Sequence, residues 1–201
     1  MKTKQDINFV EKVIGALRKA AVELEEFQVQ AALGKSEAQD KYEEVKKTFN
    51  LFLHDSEFKI KGVKEKIEDL NAKFDELRLQ LVLGKAETKE IFKKQKKQLL
   101  LTLHDIEVKI KTNEALTRMY ALTLIEIEQF KIQLEILEQR FIRDKSKAVD
   151  AFEKGKHDFN SFIDKFKGKY AKKEVEETKL EHFQHEITEA FDHFKKAFSK
   201  P

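Results

Sequence analysis

The sequence predicts an all-α chain of long amphipathic helices, and three observations carry that prediction. Apolar residues recur at steps of three and four through most of the 201 residues, the period of a helix packed along one seam. The one proline is Pro201, so no internal helix breaker of the strongest kind is present. Six glycines, no tryptophan and no cysteine make a turn-rich β-sandwich or barrel a poor fit. An antiparallel helical bundle is the first architecture to expect, with an extended oligomeric coiled-coil rod as the alternative.

The first seam runs from Tyr42 through Val45, Phe49 and Phe52, then Ile60, Val63, Ile67, Leu70, Phe74, Leu77 and Leu81. A second takes in Leu116, Tyr120, Thr123, Ile127, Phe130, Leu134, Leu137 and Phe141. Part of it, Phe130, Ile132, Leu134 and Ile136, alternates as a strand would, but the heptads on either side decide for a helix. Ile125, Ile132 and Ile136 widen its buried face, as expected of a central helix with two neighbours. A third stripe is aromatic: Phe152, Phe159, Phe162, Phe166 and Tyr170, set among Lys154, Lys156, Lys165, Lys167, Lys169 and Lys172. It continues the heptad logic of a core, although an aromatic face rimmed by lysine also suits a membrane interface.

The chain repeats itself. Residues 33–61 and 83–111 align without a gap at an offset of 50, with 14 of 29 positions identical. Leu33-Gly34-Lys35 matches Leu83-Gly84-Lys85, and Leu53-His54-Asp55 matches Leu103-His104-Asp105. A weaker third copy over 143–169 sets Phe152, Phe159 and Ile163 against Phe92, Leu99 and Leu103. One elongated helical domain over 1–201 is the economical organisation, since no Pro-rich or Gly/Ser-rich linker interrupts it.

Candidate helix ends are Gly34, Gly62, Gly84, Thr112-Asn113, Asp144 to Ser146, and Gly168, with Ser36-x-x-Gln39 reading as a capping box. Breaks at 34, 84 and 144 alone would leave three helices of about 50 residues. The apolar phase passes through Gly34 and Gly84 undisturbed, which argues for helices that run on.

Charge excludes several functions. Forty Lys and Arg against 37 Asp and Glu is too even for nucleic acid to be the expected partner. No cysteine means no disulfide, thiolate or zinc-finger chemistry, and fits a reducing compartment. The start, Met1 to Lys4, is basic, but Asp6, Glu11 and Lys12 interrupt the apolar core that a secretory signal needs. The most apolar stretch, 116–142, carries Arg118, Glu126, Glu128, Lys131 and Glu135, so it does not read as a membrane span. A cytoplasmic protein is the expectation. Late in the chain, residues 143–173 hold ten Lys/Arg and five Asp/Glu, whereas 174–192 hold one Lys and seven acids. Such opposed blocks can pair within or between chains.

Motifs with possible chemistry fail one by one. Gly34-Lys35-Ser36 resembles the end of a phosphate loop, but Val29 stands where a glycine must be. His54-Asp55 and His104-Asp105 resemble half of a metal phosphohydrolase site, but lie about 200° from Phe52 and its equivalent, towards solvent. His182, His185, Glu186, Glu189 and His193 share a helix face at chelating spacing, with the apolar residues on another face. The basic run Lys93-Lys94-x-Lys96-Lys97 has Glu87 and Glu90 beside it. No catalytic, cofactor-binding or metal-ligating residue is assigned, and no cofactor is expected. The expected function is a non-enzymatic structural or scaffold protein that assembles through its heptad seams. Its partner is itself, as a homo-oligomer, or another helical protein. The alternatives are an amphipathic protein on a lipid membrane or granule surface and, more weakly, a metal-binding helical bundle.

Overall fold

A computed structural model describes residues 4–30, 35–55, 64–112, 114–142, 146–171 and 185–192. Six helices follow in order: α1 Lys4–Gln30, α2 Lys35–Asp55, α3 Lys64–Leu81, α4 Lys89–Lys111, α5 Glu114–Ile142 and α6 Ser146–Ala171. A helical turn pair over 185–192 follows, and no strand occurs among the described residues. The chain is a helical bundle.

Among the described residues, breaks fall at Gly84, a repeat boundary, and at Thr112, which is not one. Gly34, Gly62, Asn113 and Asp144 lie outside the described residues, but α4 ends at Lys111 and an irregular segment spans 82–88. Among the described residues the longest helix is α5, with 29 residues, and the helix of about 50 expected from 84 to 144 is interrupted after Lys111. The undisturbed apolar phase at Gly84 misled, because an intervening loop is free to have any length, including one that keeps phase. Gly168 ends nothing; it lies inside α6. Gly84 does sit in the break, yet its φ is not left-handed and an added methyl would meet nothing within 4 Å. The turn there is not made by glycine.

Side chains make it instead. Thr88, extended at φ −122° and ψ 159°, caps α4 by accepting from the Ile91 amide at 3.2 Å. Gln39 donates to the Glu87 carbonyl at 2.8 Å, tying α2 to the approach of α4, while the side chain of Ser36, its partner in the expected capping box, lies outside the described residues. Gln95 donates to the Gly84 carbonyl at 2.8 Å, and Lys46 to that of Leu83 at 2.9 Å. Each takes up a carbonyl in a segment with no helical partner of its own. At the other end of α4, the Thr112 amide donates to Val108 and its hydroxyl to Lys109.

One core joins all six helices and Ile187, Ala190 and Phe191. The predicted seam residues Tyr42, Val45, Phe49, Leu70, Phe74, Leu77 and Leu81 are buried in it. Among the described seam residues Phe52 is the exception: it is half-buried, and Leu53 takes the core position, while the side chains of Ile60, Val63 and Ile67 lie outside the described residues. Helix α5 lies at the centre, with Ile125, Ile132 and Ile136 buried as their spacing suggested. It packs on α1, α2 and α4, one neighbour more than expected, and Tyr120 also reaches the Phe74 ring of α3 at 5.9 Å. Positions 50 apart meet like fates: Tyr42 and Phe92, Lys46 and Lys96, Phe49 and Leu99, Leu53 and Leu103 are all buried. Tyr42 and Phe92 touch edge to face, with centroids 4.9 Å apart.

Candidate interaction surface

The outer side of the α3–α4 pair is the feature that the core does not account for. Cross-helix contacts fix the register: Lys109 with Asp69, Lys73 with Asp105 at 3.1 Å, and Gln80 with Thr102 at 2.8 Å. Lys73 is held above the usual lysine range by hydrogen bonds to Glu76 and Asp105. Leu77 and Leu103 point inward, and side chains about 200° away from them round their helices point out. Those are Leu79 and Leu101, exposed at 69% and 58%. Val82, Leu83, Ile91 and Val108 are exposed on the same two helices and their connection. Isolated exposed aliphatic residues are ordinary, but six in one 30-residue hairpin form a concentration.

Charge is not uniform along this side. Lys94 and Lys97 share the outer stripe of α4 with Leu101, near the 82–88 segment. Glu68, Asp75 and Asp105 are exposed towards the opposite end, on the far side of Leu79 and Leu101. Glu90 is exposed on the same stripe beside Lys94 and Lys97, and Asp75 and Asp105 pair with Arg78 and Lys73, so the order along the surface is only weakly basic, apolar, weakly acidic.

Beneath it, α4 and α5 enclose ionisable groups that sequence reasoning missed. Lys131 pairs with Glu107 and lies 3.3 Å from Glu128, all three buried. Burial, together with the neighbouring Glu128, pushes the Glu107 carboxyl up to about 7, against the opposing pull of Lys131. About three turns of α4 earlier, Lys96 lies 2.6 Å from Glu135 and pairs with Glu138. The basic run seen in the sequence is thus split: Lys93, Lys94 and Lys97 face solvent and Lys96 is buried.

The other sequence candidates are not brought together. His54 is 78% exposed, with Asp55 3.8 Å from it, and His104 is exposed on α4. His185 and Glu189 are exposed, Glu186 is half-buried, and His182 and His193 lie outside the described residues. Among the described residues no group of three metal-ligating side chains converges. Phe152, Phe159 and Phe166 are buried; Phe159 meets Phe191 at 4.7 Å and Lys156 pairs with Glu25 of α1. The side chain of Tyr170 lies outside the described residues. No described helix is long and apolar enough to cross a membrane. Comparison of the chain with family models, curated proteins and solved structures finds no match.

Proposed function

We propose that this chain is a non-enzymatic scaffold, an antiparallel helical bundle that pairs with a second copy of itself through the outer side of α3–α4. The observation that carries the proposal is the exposed aliphatic cluster about Leu79 and Leu101, with a weak net order of charge along it. A two-fold axis through an apolar centre sets the basic end of one copy against the acidic end of the other, as an isologous interface requires. Most of the described seam residues are buried within one chain, so the exposed aliphatic side chains, and not those seams, support association.

The antiparallel arrangement is supported by contacts whose residue numbers run in opposite directions: 69 with 109, 73 with 105, 80 with 102, and 96 with 138, 107 with 131. An ancestral repeat is supported by the matched burial of positions 50 apart and, in the third copy, by Phe152, Phe159 and Ile163 in the core. A cytoplasmic location belongs to the same proposal and rests on the cysteine-free composition. A lipid or granule surface is the less supported partner, because α6 must first give up its buried phenylalanines.

The absence of native cysteine allows a clean test. Leu101→Cys, treated with a short bismaleimide, is expected to give covalent dimers at low micromolar concentration. Leu51→Cys, 56% exposed on α2, is expected to give few. Equal yields from both, or capture of neither, overturn the proposed face.

A further inference from the structure

Helices α1 and α2 each pack on α5 and leave between them a cleft of about 280 Å³. This is near the lower end of small-molecule sites, which span about 300–1,000 Å³. Its floor is an aromatic stack. The Phe130 and Phe49 rings are nearly parallel, 7° apart in plane with centroids at 4.3 Å. Phe52 extends the stack at 6.2 Å and 15°, and it is the half-buried end. The departure of Phe52 from the core seam is therefore what lines the cleft with an open aromatic ring.

The rim is acidic. Glu23, Glu26, Glu44 and Glu126 line it against Lys19 and Lys41. Both lysines are engaged, Lys19 with Glu23 at 3.4 Å and Lys41 with Glu44 at 2.7 Å. That leaves the charges of Glu26 and Glu126 in excess. Glu126 lies one turn of α5 before Phe130, and Phe52 lies one turn of α2 beyond Phe49. Burial holds the Glu126 carboxyl above the usual range, against the pull of Lys19, so a cation beside it would be paired in partly desolvated surroundings. Ring faces attract cations, and the Lys41 ammonium already sits 5.9 Å from the Phe27 centroid on this rim.

We propose that the cleft binds a small arylalkylammonium, its ring continuing the Phe52–Phe49–Phe130 stack and its cation beside Glu126 and Glu26. The proposal is independent of the pairing face on α3–α4. Titration calorimetry with phenethylammonium tests it, with 3-phenylpropionate and 3-phenylpropanol as anionic and neutral counterparts. Saturable one-site binding of the ammonium is expected, at least about tenfold tighter than the alcohol, with the carboxylate silent. Glu126→Gln, checked for unchanged melting, is expected to weaken the ammonium by about tenfold and leave the alcohol unaffected. No saturable heat up to about 10 mM, equal binding of all three probes, or an unaffected Glu126→Gln overturns it.

Discussion

The ammonium of Lys46 donates to the carbonyl oxygen of Leu83 at 2.9 Å, joining α2 to the irregular segment ahead of α4. Lys46 is only 1% exposed; Glu43 lies 3.0 Å away and the Tyr42 ring centroid 4.7 Å. A buried lysine is tolerable because each of its donors finds an anion, a carbonyl or a ring face.

Lys46→Ala removes this anchor and leaves a void beside Tyr42. The expected cost is about 2–3 kcal/mol, within the range for lost packing plus a charged hydrogen bond. Urea unfolding measures it, and limited proteolysis is expected to cut within 82–88 in the variant faster than in the parent.

The seam swap on α2 gives a second prediction. Leu53 is 3% exposed and Phe52 only partly covered. Leu53→Ala is expected to cost about 2–5 kcal/mol and Phe52→Ala clearly less, despite the larger side chain removed. The reverse order in chemical denaturation would contradict the packing described.

These two residues show where the sequence was legible and where it was not. Tyr42, Val45 and Phe49 were found because helical spacing alone places them. Phe52 and Leu53 both continue that spacing, and only the neighbouring helices select Leu53. Lys46 and Lys96 were missed because lysine ordinarily marks solvent. A signal existed: Tyr42, Lys46, Phe49 and Leu53 step by four, three and four, and Phe92, Lys96, Leu99 and Leu103 repeat it. A lysine recurring on the seam of both copies pointed inward. Glu107, Glu128 and Lys131 were less accessible, since their pairing joins two helices across the bundle. The outer apolar side was hidden too, because Leu79 and Leu101 are as apolar as core residues and their phase becomes clear only against Leu77 and Leu103.

The Glu107 carboxyl gives a pH dependence. Its folded value, raised to about 7 from 4.5, means that the folded state holds the proton more tightly than the unfolded chain. Between those values rising pH ionises the unfolded state first, so this group's contribution falls with pH and levels off above about 7. Glu107→Gln leaves Lys131 paired with Glu128 as one neutral couple. Its melting temperature is expected to exceed the parent's at pH 8, with the difference shrinking towards pH 4.5. A lower melting temperature at pH 8 would contradict this, showing that the ionised Glu107 carboxylate stabilises the fold.

Glycine substitutions separate helix from loop. Gly15 and Gly168 lie inside α1 and α6, where an added methyl meets nothing within 4 Å. Alanine at each is expected to stabilise by about 0.5–1 kcal/mol through helix propensity. Gly84→Ala is expected to change stability by less than about 0.5 kcal/mol, since neither a left-handed φ nor crowding is present. Thermal melts of the three variants check the set, and a large loss at Gly84 would contradict the backbone there.

Sedimentation equilibrium of the purified chain, compared with Leu79→Lys/Leu101→Lys, tests the proposed self-association most directly. The parent is expected to sediment as twice the 23.7 kDa chain mass at low micromolar concentration, and the double variant as a monomer of unchanged helicity. A parent that stays monomeric to high micromolar concentration, or a double variant that remains dimeric, would contradict association through the outer side of α3–α4.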